Sequence, residues 1–91
     1  MTKQGTILIV DDNKGVLAAI DMLLSGTFKK VITISNPNRI PAMLETDNID
    51  VVLLDMNFSS GINNGNEGIF WLGEIRKISN DLPVVLVTAY A

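Results

Sequence analysis

Aspartates that directly follow short apolar runs are the residues of this sequence best suited to chemistry. Asp11 and Asp12 come after the first such run, and Asp55 comes after the third. Carboxylate oxygens bind hard divalent cations such as Mg²⁺, and an aspartate can attack phosphorus as a nucleophile. Thr88 directly follows the fourth apolar run and adds a hydroxyl group. Together these residue types are suited to Mg²⁺-assisted phosphoryl chemistry, provided that the fold brings them together.

The apolar periodicity predicts the elements that must position these residues. Four runs are apolar on both faces, as in the buried strands of a parallel sheet; they cover residues 7–10, 31–34, 51–54 and 82–87. The segments between them have apolar residues at helical spacing; they cover residues 14–25, a short stretch opening at Asn36 and Pro37, and residues 67–79. Pro41 lies inside the second helix, which should therefore start late or be irregular. Residues 56–65 are rich in Asn, Ser and Gly, which predicts a loop.

The helical spacing also predicts which residues face the core. In the first helix they are Val16, Ile20, Leu23 and Leu24. In the second helix they are Ile40, Met43 and Leu44, and in the third they are Ile69, Leu72, Ile75 and Ile78. Phe70, Trp71 and Leu72 crowd one turn of the third helix, so at least one of them must lie outside the core. Trp71 is the candidate for a partner surface.

The element order βαβαβαβ predicts an α/β fold with a doubly wound parallel sheet, because strands apolar on both faces need helices above and below. With a strand order of 2-1-3-4, the first and third strands are neighbours, and their carboxyl ends flank the topological switch point. We then expect Asp11, Asp12 and Asp55 to converge at one edge of the sheet. Thr88 ends the fourth strand, beside the third, and should point at the same crevice.

Two interpretations of this polar cluster have to be compared. Each aspartate alone could be a turn residue, and Asp11, Asp12 or Asn13 could simply cap the first helix. Three aspartates at matching strand ends, together with Thr88, favour a functional site instead. Three close carboxylates repel one another, and a hard cation relieves that repulsion.

The composition excludes several other classes of protein. The sequence has no cysteine and no histidine, which removes disulfides, thiolate zinc sites, thiol catalysis and the usual general base. The net charge of −3 argues against nucleic-acid binding by this segment. No apolar run approaches the roughly 20 residues that span a bilayer, and the polar start is unlike a signal peptide. We expect a soluble cytoplasmic module with no membrane partner.

Three stretches of this sequence resemble the receiver domain of two-component response regulators: residues 7–13, 51–56 and 84–89. The resemblance implies a flavodoxin-like fold in which Asp55 accepts a phosphoryl group from a sensor histidine kinase with the help of Mg²⁺. Such a domain takes part in phosphorelay signal transduction and controls an output domain. It is not an enzyme, beyond phosphorylating and dephosphorylating itself.

The same resemblance implies a role for each residue of the predicted crevice. The ligands of Mg²⁺ would be Asp11, Asp12, Asp55 and the backbone carbonyl of Asn57. Asp12 would bind the metal directly, and Asp11 mainly through a metal-bound water. Thr88 would donate a hydrogen bond to a phosphoryl oxygen in the active state, and the small Ala89 would leave that oxygen room.

Two further features resemble a subclass of the family. Residues 88–91 are similar to the end of the fourth strand in receivers of the nitrogen-regulatory class. Those receivers are fused to a sigma-54-dependent AAA+ activator and a helix-turn-helix domain, so the output would be transcription regulation. The loop of residues 57–65 is longer than is usual in the family, and with residues 66–72 it resembles regulators from Bacteroides-type bacteria. The loop either shapes kinase recognition or is surface padding.

The family pattern continues past the last residue of this chain. It includes a fourth helix, a fifth strand that bears a lysine, and a fifth helix; the chain's own Lys14, Lys29, Lys30 and Lys77 do not match that lysine. We therefore expect residues 1–91 to be a receiver domain truncated at its C-terminus, with the fifth strand missing. Any ordered form of these residues should then be an oligomer or a swapped dimer that uses the exposed fourth strand, unless the rest of the domain is present as well.

Two rival functions would use some of the same residues. A phosphatase of the haloacid dehalogenase type also needs Mg²⁺ and a strand-end aspartate nucleophile, which would be Asp55. Such a phosphatase has a second aspartate two residues on, but Asn57 stands there, and its amide cannot act as a general acid or base. A calcium-binding loop starting at Asp55 would need glycine at its position 6 and glutamate at its position 12, where Ser60 and Asn66 stand.

Overall fold

The computed structural model describes residues 4–11, 13–55 and 66–87. In chain order their elements are β1 (Gln4–Val10), α1 (Lys14–Leu24), β2 (Phe28–Ile34), a 3-10 turn (Pro37–Arg39), α2 (Ile40–Thr46), β3 (Val51–Asp55), α3 (Asn66–Ile78) and β4 (Val84–Val87). None of the helices in these ranges has the length and apolar character needed to cross a membrane.

The strands form one parallel sheet with the order β2-β1-β3-β4. β1 lies between β2 and β3, and β4 lies outside β3. Each strand therefore returns to the sheet through a helix that crosses over one face, as parallel neighbours require. The predicted doubly wound sheet of order 2-1-3-4 is confirmed.

Successive residues of β1 point to opposite faces of the sheet and enter two separate cores. On one face the strands pack with α2 and α3, and the buried residues there are Leu8, Val10, Ile34, Ile40, Val52, Leu54, Ile75 and Leu82. On the other face, Ile7 and Ile9 pack with Leu17 of α1. Because helices cover both faces, residues 7–10 of β1 and residues 51–54 of β3 are apolar at every position.

α1 packs on the sheet with a side that matches the predicted one only in part, because Ile20 and Leu24 were predicted correctly and Leu17 was not predicted. Leu17 is buried, and Ile20 and Leu24 pack against the same cluster. Leu23 is 77% exposed and Val16 is 39% exposed. The inward residues have the spacing i, i+3 and i+7 of a narrow helical stripe. The prediction of Val16 and Leu23 as core residues is wrong, because apolar residues continue around this helix and only packing against the sheet selects one side.

The second helical segment has the irregular start that was predicted. The side chain of Asn36 caps the 3-10 turn and accepts the Asn38 N–H at 3.0 Å. The α-helix begins only at Ile40, so Pro41 lies in its first turn, where the missing N–H removes no intrahelical hydrogen bond. Ile40 is fully buried, and the other two predicted core residues of α2 pack against the same cluster.

In α3, Ile75 is fully buried and Trp71 packs against the same core. Phe70 is 56% exposed, and its ring meets that of Trp71 edge to face, with 5.0 Å between the ring centroids. Phe70 therefore lies outside the core, whereas Trp71 packs against it. Ile78, the last residue of the helix, is 40% exposed, which corrects its prediction as a core residue. The side chain of Ile69 lies outside the described part of the structure.

The strand boundaries differ from the predicted ones because backbone hydrogen bonding, and not apolar side chains, sets where a strand begins. β1 and β2 begin earlier than their apolar runs, because ladder pairing continues back to Gln4 and Phe28. β4 begins at Val84, two residues later than predicted. Pro83 before it has no N–H to donate to a ladder, although its carbonyl accepts the Val52 N–H at 3.0 Å.

Candidate functional site

The carboxyl ends of β1 and β3 lie side by side at one edge of the sheet. Val10 pairs with Leu54, so the residues that follow them, Asp11 and Asp55, leave neighbouring strands at the same level. Neighbouring strands are about 4.8 Å apart, a separation at which two carboxylates can share one cation. The strand register therefore brings the backbone of these two aspartates together, although they are far apart in the sequence.

Asp11 is held in a buried position immediately after β1. Its side chain is only 3% exposed. Its backbone N–H donates to the Ile34 carbonyl at 3.2 Å, and its Oδ1 accepts the Asn13 N–H at 2.9 Å. A buried carboxylate is costly unless polar groups or a cation stabilise it. Asp11 thus has the surroundings of a functional carboxylate more than those of a surface turn residue.

Asn13 is the residue that caps α1. Its side-chain Oδ1 accepts the Val16 N–H at 3.1 Å, and its carbonyl accepts the Leu17 N–H at 3.0 Å. Asp11 is therefore released from the capping role that the sequence left open for it, and its Oδ1 is bound by Asn13 instead. Hydrogen bonds therefore hold Asp11 at the end of β1 and Asn13 at the start of α1.

The end of β4 reaches the same edge of the sheet. Asp55 pairs with Val87, and Thr88 is the next residue in the sequence. The remaining predicted site residues lie outside the described residues; they are Asp12, Asn57, Thr88 and Ala89. For Asp55 the structure describes the backbone alone. Within the described part of the chain, no three acidic, histidine or cysteine side chains gather into a metal-binding group.

Two of the lysines described in the structure form ion pairs away from the candidate site. Lys30 of β2 forms an ion pair with Asp47 at 3.6 Å. Lys77 of α3 pairs with Glu74 at 3.0 Å, one helical turn away. Neither interaction involves the edge of the sheet where Asp11 and Asp55 lie.

One contact at this edge was missed by sequence reasoning. The Ile34 carbonyl at the end of β2 accepts the Asp11 N–H, so the edge strand β2 helps to fix the position of Asp11. No residue type could have indicated this contact, because a backbone carbonyl is the same in every residue. Only the register of β2 against β1 determines it.

A family model decides what this arrangement belongs to. The model of the response regulator receiver domain matches residues 7–91. This range contains all four strands, except for the first three residues of β1. The chain belongs to the response regulator receiver domain family. The predicted flavodoxin-like receiver fold is thereby confirmed, and phosphatases of the haloacid dehalogenase type are not favoured.

Solved receiver domains are similar to this chain in sequence and in structure. The N-terminal signal receiver domain of a two-component response regulator from Bacteroides fragilis is 56% identical, with a TM-score of 0.80, over 92% of this chain and 65% of that one. The response regulator TrrA from Thermotoga maritima, solved in complex with Mg²⁺ and beryllium fluoride, is 30% identical, with a TM-score of 0.77, over 99% of this chain and 72% of that one. TrrA has also been solved in complex with the histidine kinase ThkA.

Two curated relatives are transcriptional regulators. The transcriptional regulatory protein KdpE from Staphylococcus aureus is 27% identical over 94% of this chain and 35% of its own length. The DNA-binding transcriptional regulator NtrC from Salmonella typhimurium is 27% identical over 98% of this chain and 18% of its own length. The chain thus spans about a third or less of the length of these two curated relatives.

Proposed function

We propose that this receiver domain accepts a phosphoryl group on Asp55 from a sensor histidine kinase. The observation that supports the proposal most directly is the register of β1 and β3, which brings the backbone of Asp55 beside that of the buried Asp11. A carboxylate oxygen of Asp55 forms a bond to phosphorus while the bond between phosphorus and the kinase histidine nitrogen breaks. The nitrogen keeps the electron pair of that bond, and the product is an acyl phosphate on Asp55.

The residues present fit Mg²⁺ as the cation of this site. The described carboxylate of Asp11 is buried at the sheet edge, and the chain has no histidine or cysteine that would favour a softer metal. Asp11, Asp12, Asp55 and the Asn57 carbonyl would hold the ion. When bound, Mg²⁺ supplies positive charge that offsets the charge on the phosphoryl oxygens. TrrA, with which this chain is 30% identical, was solved with Mg²⁺.

Thr88 and Ala89 are the proposed switch residues. Thr88 is the next residue in the sequence after Val87, which pairs with Asp55. It would donate a hydrogen bond to a phosphoryl oxygen and move the segment that follows β4. Ala89 would leave space for that oxygen. At most, the domain would phosphorylate and dephosphorylate itself, and it would otherwise act as a signalling module.

The partners proposed are a sensor histidine kinase and a transcriptional output domain. The complex of TrrA with the kinase ThkA supports the first, and the regulators KdpE and NtrC support the second. The similarity to NtrC also favours an output domain of the sigma-54-dependent AAA+ type with a helix-turn-helix. A further proposed contact is β4, which has a neighbouring strand on one side alone among the described residues; two copies of this chain would associate through it.

Phosphoryl labelling with single-residue controls tests the phosphoacceptor. The natural protein that contains these residues is incubated with Mg²⁺ and radiolabelled acetyl phosphate, a small phosphoryl donor. We expect an acyl phosphate that is lost in acid and in base, and that disappears in Asp55→Asn. Asp81→Asn, which changes an exposed aspartate in the turn before β4, should label normally. Undiminished labelling of Asp55→Asn would contradict the assignment.

A further inference from the structure

Asn13 connects the candidate site to α1 through two different parts of the same residue. Its backbone N–H donates to Oδ1 of Asp11 at 2.9 Å. Its side-chain Oδ1 accepts the Val16 N–H at 3.1 Å. The orientation of the Asp11 carboxylate thus depends on a backbone N–H that the first turn of α1 holds in place.

The start of α1 has little else to hold it. Its first turn contains no acidic residue and opens with Lys14, whose positive charge is unfavourable at the positive end of the helix dipole. Gly15 leaves space for the capping side chain. A β-carbon at residue 15 would lie only 3.3 Å from Oδ1 of Asn13, which is closer than an ordinary van der Waals contact. The amide of Asn13, although exposed, is therefore the side chain that secures this turn.

We propose that Asn13 is a positioning residue of the phosphoacceptor site. Its side-chain cap on α1 fixes the backbone N–H that orients the Asp11 carboxylate, and so raises the affinity of the site for Mg²⁺. The inference rests on the proposed function, since it assumes that Asp11 faces the cation. It assigns no metal ligand to Asn13 itself, which acts only through Asp11.

Three variants separate this role from a general effect on stability. Asn13→Ala removes the cap, and Asn13→Ser keeps a side-chain oxygen that can cap the helix. Ser25→Ala is the matched control, because it removes a side-chain hydrogen bond, from Ser25 Oγ to the Met22 carbonyl at 3.2 Å, at the opposite end of the same helix. The 11 residues of α1 separate the two ends by about 16 Å.

The test measures Mg²⁺ affinity by calorimetry at matched fractions of folded protein. A cap of average strength corresponds to about a fivefold change in an equilibrium constant, so Asn13→Ala should raise the Kd for Mg²⁺ about fivefold. Asn13→Ser and Ser25→Ala should stay within about twofold of the unmodified protein. Without metal, the amide hydrogen of residue 13 should exchange faster in Asn13→Ala, and not in the other two variants.

The possible results distinguish this inference from the proposed function. An unchanged Mg²⁺ affinity in Asn13→Ala, or an equal loss in Ser25→Ala, overturns the role of Asn13 while the unmodified protein still binds Mg²⁺. Failure of Asn13→Ser to restore the affinity also overturns it. If the unmodified protein binds no Mg²⁺, the proposed function itself fails, and the inference fails with it.

Discussion

Asp11 is a single residue in which burial and chemistry are closely linked. Its carboxylate is almost fully enclosed, yet it stands at the sheet edge beside the end of β3. Its Oδ1 accepts a hydrogen bond from the Asn13 N–H. A negative charge in such a place is kept by proteins mainly where it pairs with a cation or takes part in a reaction.

At this scale the charge of Asp11 can be removed without changing its shape. Asp11→Asn keeps an oxygen that can accept the Asn13 N–H. A ligand at about 100 times its Kd stabilises a one-site protein by about 2.7 kcal/mol, and we expect Mg²⁺ to stabilise the unmodified protein by this order. Asp11→Asn should lose most of that gain, because the cation is less strongly attracted. Urea unfolding with and without Mg²⁺ measures the effect; a full gain in Asp11→Asn would show that Asp11 does not face the metal.

At the scale of elements, the far end of β1 depends on a close contact between two segments. Gly5 lies in β1, and Asp50 lies just before β3. Oδ2 of Asp50 accepts the Thr6 N–H at 2.7 Å, and the Thr6 carbonyl accepts the Asp50 N–H at 2.9 Å. A β-carbon at Gly5 would overlap with that Oδ2. The two segments approach so closely only because residue 5 has no side chain.

Paired glycine substitutions test this contact. Gly5→Ala should displace the Asp50 carboxylate and break its hydrogen bond to Thr6, which costs about 1 kcal/mol of stability. Gly73→Ala, in the middle of α3, meets nothing within 4 Å and should stabilise the protein by about 0.5–1 kcal/mol through helix propensity. Denaturant unfolding of both variants measures the difference. Equal effects of the two substitutions would show that the contact at Gly5 is unimportant.

At the scale of the whole molecule, the two outermost strands of the sheet, β2 and β4, differ in how they are protected from pairing with another chain. The edge strand β2 carries the exposed Lys29 and Lys30, and charged residues discourage pairing with another chain. β4 has no charged residue. Two adjacent residues of β4, Val85 and Leu86, point to opposite faces of the sheet and are 50% and 37% exposed. Among the described residues, β4 has a pairing partner on one side alone.

Such an edge should make the 91-residue chain associate with itself. We expect dimers or larger species through β4, because pairing would satisfy its open backbone groups and cover its apolar side chains. Leu86→Lys should shift the chain towards monomer. Leu23→Lys, at an exposed position of α1, should leave the association unchanged. Light scattering over a range of concentrations measures this, and a stable, cooperatively folding monomer at all concentrations would contradict the prediction.

Much of the fold could be predicted from the sequence, because it depends on local patterns. Strands that are apolar at every position indicate a parallel sheet covered on both faces. Alternation with helices indicates right-handed crossovers, and the strand order that makes β1 and β3 neighbours is the one observed. The positions of Asp11 and Asp55 after two of these strands were enough to predict that their backbones would lie at one sheet edge.

The tertiary structure decided those features that depend on which surfaces meet. Leu17 and Leu23 are equally apolar, and only packing on the sheet buries the first and exposes the second. The contact between Asp11 and the Ile34 carbonyl depends on strand register, which no side chain encodes. Asn13 looked from the sequence like one of several possible caps. Its connection to the Asp11 carboxylate exists only because the folded turn brings its N–H and its amide to two different partners.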